Sequence, residues 1–128
     1  MKNILLVDDD PFISDIYSIQ LKNEGYNVDV ANNVSMALEK IINNYPDLLV
    51  LDLNLDVKNP GPGDGLNILN KIRQDQRTKN LKVIVMSNYS ERDYPEISNL
   101  SSLGVAKIFL KVQSTPQEVS DTIKEILK

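Results

Sequence analysis

Six side chains carry most of the chemistry this sequence could do: Asp8, Asp9 and Asp10 in "LLVDDDP", Asp52 in "VLDLN", Ser87 in "VMSN" and Lys111 in "FLKV". Aspartates brought to one point repel one another. Two carboxylates about 5 Å apart at an effective dielectric near 20 do so by roughly 3 kcal/mol, worth about two pKa units. Either one of them keeps its proton, or a hard divalent cation sits among them, and an all-oxygen site with room for water suits Mg²⁺. A lysine and a hydroxyl at the same point complete a phosphoryl site, in which an aspartate acts as nucleophile while cations neutralise the phosphoryl oxygens.

Such a site needs elements that deliver each residue to one place. Four aliphatic runs read as strands buried on both faces: "NILLV" (3–7), "DLLVL" (47–51), "KVIVM" (82–86) and "AKIFL" (106–110). A fifth, "NVDVA" (27–31), reads as an edge strand. Helical stripes alternate with them. The first runs from Pro11 to Glu24, with Asp10 as N-cap and Gly25 as its stop. The second carries Val34, Ala37, Leu38, Ile41 and Ile42 between Asn33 and Pro46, and the third, entered from Asp64, carries Leu66, Ile68, Leu69 and Ile72. A weaker fourth pattern over 93–103 offers only Ile97, Leu100 and Leu103 to a core, so it should be the least firmly packed. The last helix has a capping box of Thr115 and Glu118 around Pro116. Alternating strands and helices with short connections predict a parallel sheet with helices on both faces. In such sheets ligands bind beyond the carboxyl ends of the strands. The candidate residues all fall there: Asp8 to Asp10 after strand one, Asp52 after strand three, Ser87 after strand four and Lys111 after strand five.

Composition narrows the chemistry further. The 128 residues suffice for one domain, spanning 1–128, with a core of its own. There is no cysteine, which excludes thiol catalysis and zinc–thiolate sites, and no histidine, which removes the commonest general base and metal ligand. The net charge of −4, spread along the chain, argues against nucleic-acid contact. No segment reaches the roughly 20 apolar residues of a membrane span, and the early aspartates interrupt any signal peptide, so a cytoplasmic location is expected.

The stretches "ILLVDDDP", "ANNVSMAL", "PDLLVLDLN", "DGLNIL", "VIVMSN" and "GVAKIFLK", in this order and spacing, resemble the receiver domain of two-component response regulators over nearly the whole chain. The resemblance implies a doubly wound, flavodoxin-like (βα)5 sandwich with a five-stranded parallel sheet in the order 2-1-3-4-5. It implies that Asp52 is the phospho-acceptor, that Asp8 and Asp9 are the acidic pair holding Mg²⁺, and that Asn54 lends the metal a backbone carbonyl. Ser87 is similar to the hydroxyl residue that turns toward the acyl phosphate, and Lys111 to the lysine that binds a phosphoryl oxygen. The implied partners are a histidine kinase or a histidine phosphotransfer protein as donor, and a downstream protein target docked on the fourth helix, fifth strand and fifth helix.

The sequence also departs from the family pattern. Val112 stands where a proline usually follows the lysine, Ile108 where a switch tyrosine or phenylalanine usually lies, and Asn88 where a small residue usually follows the hydroxyl. The loop after Asp52, "DVKNPGPGDG" (56–65), is longer by about five residues than the family's and rich in glycine and proline. Structural roles compete with the functional ones. An aspartate can simply cap the first helix, although Asp10 already fills that place, and Ser87 can stabilise a loop. Two other functions follow from these readings. A degenerate receiver would dock a partner without phosphorylation, as the missing aromatic and proline favour and the intact acids and lysine oppose. A phosphatase of the haloacid-dehalogenase type would need a second acid two residues after its nucleophile, where Asn54 stands, so a turnover enzyme on an external substrate ranks a distant third, ahead only of nucleotide or flavin binding, for which no glycine-rich phosphate loop follows strand one.

Overall fold

The computed structural model describes residues 1–55, 63–88 and 95–128, the side chains of 95–98 excepted. Strand β1 (Asn3–Val7) is followed by helix α1 (Pro11–Asn23), β2 (Asn27–Ala31), α2 (Val34–Asn44), β3 (Leu48–Asp52) and α3 (Gly63–Gln74). Then come β4 (Lys82–Ser87), a 3₁₀ helix (Pro95–Leu103), β5 (Lys107–Leu110), a 3₁₀ turn (Lys111–Gln113) and α4 (Pro116–Ile126). All strand pairs are parallel and the sheet order is β2-β1-β3-β4-β5, the order implied by the resemblance. β2 lies at one edge, as its shorter apolar run predicts, and β5 at the other.

The alternation of side chains along each strand divides the core into two layers. Leu5, Val7, Leu49, Leu51, Val83 and Val85 face Ala37 and Ile41 of α2 and Ile68, Leu69 and Ile72 of α3. Ile4, Leu6, Leu48, Val50, Ile84 and Met86 face Tyr17 and Leu21 of α1 and Val119 and Ile123 of α4. β3, at the centre, is buried at every position. Each fully buried aliphatic side chain of this kind contributes roughly 1.5–3 kcal/mol.

The helix ends follow their caps. The Asp10 carboxylate accepts hydrogen bonds from the backbone N–H of Phe12 (3.0 Å) and Ile13 (3.5 Å), and α1 gives way to Gly25 at φ 99°. Asn33 accepts from Met36 N–H at 2.8 Å to start α2, and Thr115 accepts from Glu118 N–H at 3.2 Å to start α4. Asp10→Ala is expected to lower stability by about 1 kcal/mol in urea unfolding. It should leave the chemistry of the neighbouring aspartates intact.

Several bounds differ from those the sequence predicts. Strand three ends on Asp52 itself and strand four on Ser87, so both residues are held by the sheet. α3 starts at Gly63, shortening the loop expected over 56–65, of which residues 56–62 lie outside the described residues. The fourth helix, expected as an α-helix over 93–103, is 3₁₀ from Pro95 to Leu103, with residues 93 and 94 outside the described residues. Its sequence explains this: among the side chains described, Leu100 alone is fully buried there, and Asn99, Ser101 and Ser102 favour local bonds over an α-helical ladder. Gly104, at φ 74°, ends it.

One polar side chain ties this segment to the body. Arg73, on α3, donates from Nε to the carbonyl of Leu103 (2.6 Å), from Nη1 to those of Lys79 (3.0 Å) and Leu81 (2.7 Å), and from Nη2 to that of Gly104 (3.3 Å). Its partners are the chain segments entering β4 and β5.

Candidate functional site

Strand register brings the site together. Val7 pairs with Leu51, Asp52 with Met86, and Ser87 with Leu110, so Asp8, Asp52, Ser87 and Lys111 sit at or one step beyond the carboxyl ends of four adjacent strands. Neighbouring strands are about 4.8 Å apart, so side chains leaving this edge meet. Asp8, Asp9 and Asp52 each offer a carboxylate oxygen within 4.8 Å of the others, the acidic cluster found among the described residues.

Lys111 holds two of the three. Its Nζ donates to Asp8 Oδ2 at 2.9 Å and to Asp52 Oδ2 at 2.9 Å, with its side chain only 12 % exposed. The second oxygen of each acid is also used: Asp8 Oδ1 accepts from Asp10 N–H at 2.9 Å, and Asp52 Oδ1 from Asn54 N–H at 3.1 Å. These bonds fix both carboxylates in direction as well as position.

The electrostatics follow from three acids facing one base. Burial pushes the Asp52 carboxyl from 3.8 up to about 7, with the Asp8 charge adding to the rise and Lys111 opposing it. Burial likewise raises Asp9, and Asp8 adds to it. At Lys111 burial disfavours the charge, but Asp52 and Asp8 together outweigh it and raise the ammonium. One ammonium therefore leaves the cluster short of positive charge. A divalent cation would supply what is missing, and carboxylate oxygens are the donors that a hard cation takes.

The other expected residues are placed as follows. Ser87 is fully buried at the end of β4, and Asn54, half-buried, follows the end of β3 by two residues. Asp10 is exposed and belongs to the cap, so the acidic run at 8–10 divides into cluster and cap as its sequence reading has it. Asn88 is exposed just past Ser87. Val112 is 83 % exposed in the 3₁₀ turn, and among the described residues every peptide bond is trans, the Lys111–Val112 bond included. Ile108 points outward, while Phe109, on the opposite face of β5, is buried beside α1 and α4.

Two features of the site are not legible in the sequence. The pair of hydrogen bonds that Lys111 Nζ donates to Asp8 and Asp52 depends on side-chain geometry that strand ends do not specify. Gly65, in "DGLNIL", bonds the residue after Asp52, whereas in the sequence it reads as the end of the glycine- and proline-rich loop.

Comparison with known proteins identifies the family. Residues 4–124 match the family model for the response regulator receiver domain. The chain is 36 % identical over 87 residues to the DNA-binding dual master transcriptional regulator RpaA of Synechocystis, covering 68 % of this chain and 34 % of RpaA. It is 35 % identical over 100 residues to the response regulator ArlR of Staphylococcus aureus, covering 78 % of this chain and 42 % of ArlR. The chain thus matches well under half the length of either relative. Among solved structures it superposes on TrrA of Thermotoga maritima, crystallised with Mg(2+)-BeF, with a TM-score of 0.78 and 32 % identity, over 98 % of this chain and 99 % of that one. A CheY-like receiver domain of Methanospirillum hungatei gives a TM-score of 0.82 at 28 % identity, covering 99 % and 94 %. With its strand order, its acidic strand ends and a family match over residues 4–124, the chain belongs to the receiver domains of two-component response regulators.

Proposed function

We propose that residues 1–128 form one receiver domain that accepts a phosphoryl group on Asp52. The observation that carries this reading is Lys111, bonded at 2.9 Å to both Asp8 and Asp52 inside an acidic cluster at the carboxyl edge of the sheet. Asp52 is the nucleophile. One carboxylate oxygen forms a bond to phosphorus as the bond from phosphorus to the donor breaks, and the donor departs with that electron pair. The donor is a phosphohistidine of a kinase or phosphotransfer protein, or a small acyl phosphate; with no histidine in this chain the donor is another molecule.

Asp8, Asp9, Asp52 and the backbone carbonyl of Asn54 would hold Mg²⁺, which when bound would supply positive charge to the phosphoryl oxygens. Lys111 leaves Asp52 and takes a phosphoryl oxygen, exchanging one anion for another without leaving its pocket. Ser87, at the end of the neighbouring strand, donates its hydroxyl to a further oxygen. Asp52 must be ionised to attack, and Lys111 favours that form against the burial that raises its pKa to about 7.

The same reading places partners. On α1, whose start follows the acidic cluster, Phe12 is 70 % exposed and Ile16 and Ile19 follow at helical spacing, an apolar ridge on which a donor protein can rest. Output is assigned to the 3₁₀ helix, β5 and α4, the elements that follow Ser87 along the chain, with Lys111 between β5 and α4. Nucleic-acid contact is not assigned to these residues, whose net charge is −4. Among the described residues no helix is long and apolar enough to cross a membrane, and a cytoplasmic site is proposed, where such donors act.

Intact mass after incubation with Mg²⁺ and a small acyl phosphate tests the proposal. Wild type should gain one phosphoryl group, Asp52→Asn none, and Asp9→Ala none at Mg²⁺ concentrations that saturate wild type. If wild type gains nothing and also fails to bind fluoroberyllate, the chain is a docking module and the reading is wrong.

A further inference from the structure

Gly65 lies two residues inside α3, where its N–H has no partner within the helix and donates instead to the carbonyl of Leu53 at 3.0 Å. Leu53 is the residue after Asp52. It is fully buried, and its own N–H donates to Met86 of β4 at 3.1 Å, so β4 and α3 grip it from two sides. A Cβ on Gly65 would lie 2.9 Å from the Leu53 carbonyl oxygen and 2.8 Å from its Cδ2, and nearer still to its Cα. Two of these three atoms are backbone and cannot turn aside. Nor does Gly65 have the positive φ seen at Gly25 and Gly104, so its lack of a side chain serves space and not backbone conformation. Gly63, in the same turn, would meet nothing within 4 Å.

We infer that Gly65 is a positioning residue for the acceptor: by letting α3 close on Leu53 it fixes the backbone between Asp52 and Asn54, and so the acidic cluster and the metal donors beside it. This rests on the phosphoryl-acceptor reading above. Leu53 separates Asp52 from Asn54, and Asn54 N–H bonds Asp52 Oδ1 at 3.1 Å, so a displaced Leu53 carries both neighbours with it. The chain is pinned at Leu53 and Gly65, on either side of residues 56–62 in the sequence.

The test compares Gly65→Ala with Gly63→Ala, first confirming that wild type gains a phosphoryl group; a wild type that does not would overturn the acceptor reading instead. Helix propensity alone predicts that both alanines stabilise α3 and leave the site untouched. A displaced Leu53 predicts otherwise. In Gly65→Ala the Mg²⁺ midpoint, followed by the Asn54 and Asp9 amide resonances, should rise at least about fivefold, and phosphoryl uptake should slow about tenfold or more. Gly63→Ala should match wild type in both. Equal midpoints and rates in all three chains would overturn the inference. If Gly65→Ala does not fold, amide exchange in wild type decides: Mg²⁺ with fluoroberyllate should slow exchange at Gly65 and leave Gly63 unchanged, and an equal response at both would overturn it.

Discussion

Lys111→Met is expected to slow phosphoryl uptake from a small acyl phosphate at least about a hundredfold, the size of effect seen when a preorganised electrostatic contact is removed. Methionine keeps much of the length and apolar stem, so the change is chiefly one of charge. Asp8 and Asp52, both buried and both bonded to Nζ at 2.9 Å, lose their counter-ion. Breaking a buried pair from one side commonly costs about 3–5 kcal/mol. Here the loss should be smaller, about 2–4 kcal/mol at pH 8, because Asp52 is already raised to about 7 and can take a proton. Urea unfolding should therefore show less damage at pH 5.5 than at pH 8. Mg²⁺ should restore part of the stability at pH 8, since a cation binding only the folded cluster stabilises it by mass action. A variant that is phosphorylated within threefold of the wild-type rate would remove Lys111 from the phosphoryl site.

Asp52→Asn should abolish phosphorylation and yet make the protein more stable at neutral pH. An aspartate free of its surroundings titrates at 3.8, and Asp52 in the folded chain at about 7, so between these values the folded state keeps a proton that the unfolded chain has released. Its contribution to stability is full below 3.8, falls as pH rises through about 7, and is flat above that. Asparagine resembles the protonated form at every pH. The two chains should therefore differ least at acid pH, and the gap should widen to a plateau above pH 7. The interval from 3.8 to about 7, at about 1.4 kcal/mol per pKa unit, sets a ceiling near 4 kcal/mol. The opposing pull of Lys111 is already within that interval, and relaxation around the buried charge lowers the gain to about 1–3 kcal/mol. Thermal midpoints of both chains from pH 4.5 to 8.5 with a chelator present measure this, and parallel curves would contradict it. On the proposed reading function is held against stability: the acid assigned to react is one the fold would be firmer without.

How far the sequence discloses this site depends on the scale of the question. That Asp8, Asp52, Ser87 and Lys111 converge is readable because aliphatic runs end where these residues begin, and a parallel sheet collects strand ends on one edge. The separation of Asp10 from Asp8 and Asp9 is readable as well, since Pro11 marks the start of α1. Side-chain direction is a different matter. Nothing in the order of residues says that Lys111 divides its bonds between two aspartates, because that depends on register and on tenths of an ångström. Gly65 is obscure for a related reason: beside Pro60, Gly61, Pro62 and Gly63 it reads as loop punctuation, and only the closeness of Leu53 gives it a purpose. The 3₁₀ helix reads as α in the sequence because its leucines suit either winding, and hydrophobic spacing cannot count backbone bonds.

The arginine on α3 gives the molecule a second kind of anchorage. Arg73 spends its donors on four peptide carbonyls, none of which titrates, and burial lowers its own pKa without bringing it near neutrality, since arginine is not deprotonated in proteins. At the opposite edge of the same sheet, Asp52 changes charge near pH 7. β4 and β5 thus run from an end that is deaf to acidity and to added cations to an end governed by both. The carbonyls of Leu81, Leu103 and Gly104 are tied to one side chain just before β4 and β5 begin, at the end of these strands away from the acids.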